Sequence, residues 1–184
     1  MPITKEGWEL HIVRETVQRR ASDGRRRTTG RYQVYHDGIA QSGADLCGMT
    51  AESKGPGANH PADNGKRIGE GRYPLSTHAP GRYATFDYKN SEDPDAEPKP
   101  ALELKGTGER YDILVHPGHD FLASVGCINL CRSLPNAQEP ISYAPSRKRV
   151  IAVINDLKNY LGSDFPKSNG KKIVKASVVI DGEP

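Results

Sequence analysis

The stretch Tyr111-Asp-Ile-Leu-Val-His-Pro-Gly-His-Asp-Phe-Leu-Ala-Ser-Val-Gly-Cys-Ile-Asn-Leu-Cys131 decides how this chain is read. Residues 111–116 form its best-defined apolar run, a strand that delivers His116 to its end, where Pro117-Gly118 breaks the ladder. Eleven positions after His116, Gly126-Cys127 presents a thiol beside a residue with no side chain. Strand ends and tight loops are where a scaffold exposes reactive groups. A free thiol, with a pKa of about 8.5, is only a few per cent thiolate at neutral pH, and an imidazole in hydrogen-bond reach activates it by taking its proton. Cys127 is therefore the candidate nucleophile and His116 the candidate base, and the activated thiol is expected to titrate below about 8.5. Gly126 would let a substrate carbonyl approach, the Gly126 and Cys127 N–H groups would meet a tetrahedral oxyanion, and Ser124 would orient either partner.

Outward from this stretch the chain is rich in strands. Segments 8–17, 31–36, 39–49, 71–76, 83–88, 101–104 and 171–180 carry β-branched or alternating apolar residues bounded by turn signals such as Asp23-Gly24 and Asp37-Gly38. The strand at 71–76 ends before Ala79-Pro-Gly81, segment 52–65 is a loop, and the acidic, proline-rich insert 91–100 is expected to be an exposed loop. One helix is predicted, N-capped by Ser146, with Val150, Ile151, Ile154, Leu157 and Leu161 at helical spacing and Gly162 as its stop. Many strands and one late helix place the chain in the mostly β (α+β) class, with the helix on one sheet face.

A chain of 184 residues with a 35% hydrophobic fraction fits one compact domain, 1–184. Gly (19) and Pro (14) together make 33 residues, which gives loops much of the length and disfavours a helical bundle. Lys and Arg (26) against Asp and Glu (23) leave +3, too little to demand a polyanionic partner, and no nucleic acid is expected. No apolar run reaches the ~20 residues of a membrane span, so no membrane insertion is expected, and MPITKEGWEL lacks the pattern of a secretory signal. Three cysteines cannot build a disulfide framework, and Cys47 and Cys131 read as small buried hydrophobes. The seven arginines from Arg14 to Arg31 read as a solvated hairpin whose charges blunt edge pairing, with phosphate contact as the other reading, and Arg25 to Arg27 are expected to be dispensable.

The strand-end His followed by Ser-x-Gly-Cys-hydrophobic-Asn resembles the active-site motif of L,D-transpeptidases, the YkuD-type catalytic domain. Arg67-Ile-Gly-Glu-Gly-Arg-Tyr-Pro-Leu75 upstream is similar to the family's segment before the catalytic strand, where a Gly-x-Tyr or Gly-x-Phe follows an apolar entry. The resemblance spans roughly residues 31–134. It implies a YkuD-like β-sandwich or barrel with one C-terminal helix packed outside and a final strand. It also implies His116 as base, Ser124 as motif hydroxyl, Gly126 as small residue, Cys127 as acyl-forming nucleophile and Asn129 as a substrate-side amide. Two departures stand out: Val125 replaces the family's usual His or Arg, and the interval between base and cysteine is short, as in relatives from phage and bacterial genomes.

The implied reaction is acyl transfer on peptidoglycan stem peptides, with an amine as acceptor, or with water as in an L,D-carboxypeptidase. No cofactor is implied. The site of action would be the periplasm or cell wall. Stem peptides carry several carboxylates, so cationic or amide donors are expected near Cys127, with Asn129, Arg132, Arg72 and His119 as candidates. Two rival readings remain. One is a non-catalytic cell-wall-binding module on the same fold. The other is a small interaction domain holding zinc through the H-x2-H-x7-C-x3-C string His116, His119, Cys127 and Cys131.

Overall fold

The computed structural model describes residues 3–78 and 81–184; Ala79 and Pro80, where the sequence ends a strand, lie outside the described residues. In chain order the strands are β1 (Trp8–Arg19), β2 (Arg26–His36), β3 (Ile39–Ala40), β4 (Cys47–Glu52), β5 (Gly71–Thr77), β6 (Tyr83–Ala84), β7 (Lys99–Pro100), β8 (Leu102–Leu104), β9 (Leu114–Pro117), β10 (Ile128–Cys131) and β11 (Lys172–Asp181), with helix α1 (Tyr143–Leu161) before the last. Eight of them close a barrel in the order β1-β11-β5-β8-β9-β10-β4-β2, because β1 pairs with β11 on one side and with β2 on the other. Strand β3 hangs on β2, and β6 and β7 form a separate short parallel pair. Closure removes the sheet edges that would otherwise recruit other strands.

The pleat sorts the side chains. Trp8, Leu10 and Ile12 of β1 point inward and are fully buried, as are Val115 of β9 and Ile128 and Leu130 of β10. Helix α1 packs its apolar face into this core. Val150, Val153, Ile154 and Leu157 belong to the same apolar cluster as the strand interiors, and Trp8 Nε1 donates to Asp156 at 2.8 Å.

Several elements differ from their sequence reading, each for a local reason. Helix α1 starts at Tyr143, not after a Ser146 cap. Pro145 fits its first turn because an N–H there would lack an intrahelical acceptor anyway. Ser146 is buried inside the helix, where its hydroxyl accepts from Gly118 N at 2.8 Å and donates to Leu130 O. The expected strand 39–49 is split into β3 and β4 by a turn in which Leu46 N donates to Gly43 O. Strand 83–88 shrinks to β6 because Thr85 Oγ1 donates to Ala101 O and Asp87 has φ +58. Asp112, at φ +52, delays β9 to Leu114. The insert 91–100 is not exposed throughout: its last two residues form β7 and are buried.

Candidate active site

Strands β9 and β10 run parallel, with Ile128 opposite Val115 and Asn129 opposite His116. Since Val115 and Ile128 face the core, the alternation turns Leu114, His116 and Asn129 to the other face of the barrel wall. Cys127, two residues before Asn129, falls on that outer face as well. The two candidate catalytic side chains thus stand beside one another on neighbouring chain segments, two residues apart in register, joined by the connection 118–127.

His116 is buried, and its Nδ1 lies 2.8 Å from the Pro117 carbonyl oxygen. A carbonyl only accepts, so Nδ1 carries the proton and Nε2 keeps its lone pair. Burial pushes the imidazole down to about 4, with the Lys99 ammonium adding in the same direction against the Pro117 hydrogen bond. The ring packs against Tyr83 in a tilted arrangement, 4.4 Å between centroids.

The half-buried Cys127 thiol hydrogen-bonds to the backbone, accepting from Leu114 N and donating to Asp112 O, both at 3.4 Å. Burial pushes it up to about 11, although the Leu114 N–H and the Arg110 guanidinium favour the thiolate. The expected thiol titrating below the ordinary value is therefore not the resting state. At neutral pH the pair is thiol and neutral imidazole, a combination suited to proton transfer during attack rather than to a standing thiolate.

The loop before Cys127 is pinned from three sides. Ser124 Oγ donates to Cys127 O at 2.5 Å, which makes Ser124 a clasp on the loop. Ser53 Oγ donates to Ser124 O at 3.2 Å and accepts from Gly126 N at 3.1 Å, so the Gly126 N–H assigned to an oxyanion already has a partner. Gly126 itself has φ +112, and a Cβ there would lie 1.9 Å from Arg110 Nη2. Arg110, buried and donating to Lys66 O at 2.7 Å and Val125 O at 3.1 Å, is a site residue that the sequence reading missed. It sits one position before the decisive stretch, and no spacing rule singles it out.

Three substrate-binding expectations are corrected. Asn129 is fully buried, its amide accepting from Ala123 N at 3.2 Å and donating to His116 O at 3.4 Å, so it ties the 118–127 connection to the His116 strand end and is closed to solvent. Arg132 lies beyond the far end of β10, about 16 Å along the strand from Cys127 at ~3.3 Å per residue. Arg72, on β5, pairs with Glu9 at 2.6 Å and Ser177 Oγ at 2.7 Å, against the β1 and β11 side of the barrel. His119 stays near the base on the 118–127 connection, with Nδ1 2.9 Å from Asp120.

The proposed zinc string does not converge. Cys131 is buried in a small cluster with Ala51, Leu134 and Ile141, and among the described residues the one metal-type cluster is His78, Glu103 and Asp112. Cys47 is exposed, not a buried hydrophobe. The arginine hairpin is also more than a solvated turn: Arg14 is buried against Glu52, and Arg27 is fully buried.

Comparison with protein-family models, curated proteins and solved structures gives no match to this chain.

Proposed function

We propose that the chain is a cysteine-dependent acyltransferase of L,D-transpeptidase type, acting on peptidoglycan stem peptides. The observation that carries this reading is the tautomer of His116. With Nδ1–H committed to Pro117 O, the free Nε2 belongs to a neutral base on the strand next to Cys127, two residues away in register and on the same face of the barrel wall. In the reaction, Nε2 takes the thiol proton as Sγ bonds to the carbonyl carbon of the peptide between an L-centre and a D-residue. The C–N bond then breaks, and the same proton passes to the departing D-amino acid's nitrogen. An amine or water releases the acyl group from sulfur and regenerates the thiol. The closed β barrel with a late helix and a final strand is compatible with a YkuD-like domain.

The test is mass spectrometry after exposure to a carbapenem, an acylating mimic of such a substrate. The expected result is one adduct on Cys127, absent from Cys127→Ser and His116→Gln. A second reading, a non-catalytic binding module, is favoured by the raised thiol and its backbone hydrogen bonds. Muropeptide binding without any adduct would select it.

A further inference from the structure

We propose that the cleft where α1 begins, at the opposite end of β10 from Cys127, binds a small phosphate-bearing ligand. The cleft has a volume of about 590 Å³ and is lined by Arg132, Arg147, Lys148 and Arg149, with Asp45 and Glu92 as its only carboxylates. That size suits a small-molecule site.

Charge and hydrogen-bond capacity both point to an anion. Asp45 is already shared, 3.1 Å from Lys148 and 3.3 Å from Arg149. Arg132 is exposed and has no ion pair or hydrogen bond among the described residues. Arg147 and Arg149 are each only 8% exposed, yet both keep a buried Nε–H without an acceptor. Arg147 otherwise donates to Lys89 O at 2.8 Å and Arg149 to Pro145 O at 3.4 Å. Four cationic side chains thus meet two carboxylates at the cleft, a local surplus of positive charge.

The helix adds an independent contribution. Helix α1 has 19 residues, no acidic residue in its first turn, and no side-chain cap from Ser142. Its positive end is opposed by no acidic side chain of its own first turn, and Ala144 and Pro145 of that turn line the cleft; Pro145 has no N–H and Ser146 N donates to Ser142 O, so the helix contributes mainly its dipole. Planar guanidinium forks beside such an end match the paired oxygens of a phosphate better than they match a single point charge. The one unpaired carboxylate, Glu92, sets the polarity of the test.

Pyrophosphate and inorganic phosphate are titrated by calorimetry into the full chain at constant ionic strength, with citrate as a carboxylate control. Pyrophosphate is expected to bind more tightly than citrate. Arg132→Gln should weaken it at least ten-fold, and Glu92→Gln should tighten it several-fold. Arg26→Gln, on the distant hairpin, should leave it unchanged. Arg132, Glu92 and Arg26 are exposed, so the variants are expected to fold, and circular dichroism checks that. Absence of pyrophosphate binding overturns the proposal, as does citrate binding equally well, or equal losses in Arg132→Gln and Arg26→Gln.

Discussion

The Nδ1 of His116 sits 2.8 Å from the carbonyl oxygen of Pro117, the residue that follows it in β9. This contact fixes the ring's tautomer and rotamer, while Asn129 on the next strand ties down the His116 carbonyl at 3.4 Å. The candidate base is thus held by its own strand end and by its neighbour, and its protonation state follows from where that strand end is buried.

The buried imidazole makes stability depend on pH. Its pKa falls from an ordinary 6.5 to about 4 in the folded chain, so between those values the unfolded state binds the extra proton. The His116 contribution is complete above about pH 6.5 and is lost as pH falls toward 4, on the order of 3 kcal/mol in all. Urea midpoints at pH 7.5 and 4.5 should differ less in His116→Gln than in wild type. An equal drop in both would assign the acid sensitivity to other groups.

Cys127 should alkylate slowly. A thiol pushed up to about 11 holds little thiolate at pH 8, so iodoacetamide should modify the exposed Cys47 at least ten-fold faster, with the Cys127 rate still climbing above pH 9. Arg110 favours the Cys127 thiolate, so Arg110→Gln should slow the reaction further. Peptide mapping after timed quenching separates the sites, and a fast Cys127 would show that the thiolate stands ready at rest.

The decisive stretch was legible where chemistry follows from strand periodicity. His116 at a strand end and β11 as a returning strand both follow from pattern, whereas Gly126, which the sequence offers as room for a substrate, instead accommodates Arg110. Contacts distant in sequence were not legible. Nothing in the spacing of Arg27 separates it from Arg25 and Arg26, yet one is buried and the others line a surface. Likewise Asn129 looks like an exposed amide until the Ala123 N–H is seen to fold back onto it. Ser146 carried a helix-cap signal but spends its hydroxyl on two other segments, a tertiary choice that overrides the local preference.

Removing the Asn129 amide should cost stability and base positioning together. Asn129→Ala leaves the Ala123 N–H without its acceptor in a part-buried site, a loss of about 1–2 kcal/mol. Carbapenem acylation should slow more than ten-fold, while iodoacetamide alkylation of Cys127 stays within about three-fold of wild type, since alkylation does not need the base to hand a proton to a leaving group. If both rates fall alike, Asn129 acts on the thiol and not through His116.

Within the arginine hairpin the three neighbours should separate sharply. Arg27 Nη1 donates to Phe121 O, and Nη2 to Asn136 O and Glu139 O, all at 2.9 Å, while Nε reaches Gln18 at 2.9 Å. Its guanidinium also lies 4.7 Å from the centre of the Phe121 ring, so one side chain holds the 118–127 connection and the 132–142 loop against β2. Arg27→Ala removes a fully buried side chain, strands the buried Phe121 carbonyl and frees two part-buried ones, and should cost about 3 kcal/mol by urea denaturation. Arg27→Lys should recover little, because a point charge cannot serve three carbonyls in a planar fork. Arg26→Ala, on the exposed side of the same strand, should stay within about 0.5 kcal/mol. Loss of acylation in a triple Arg25, Arg26, Arg27 variant would then report on loop collapse beside Cys127, and only the single Arg25→Ala and Arg26→Ala variants can show whether the exposed charges touch substrate. Equal stability of Arg27→Ala and Arg26→Ala would refute this account of the hairpin.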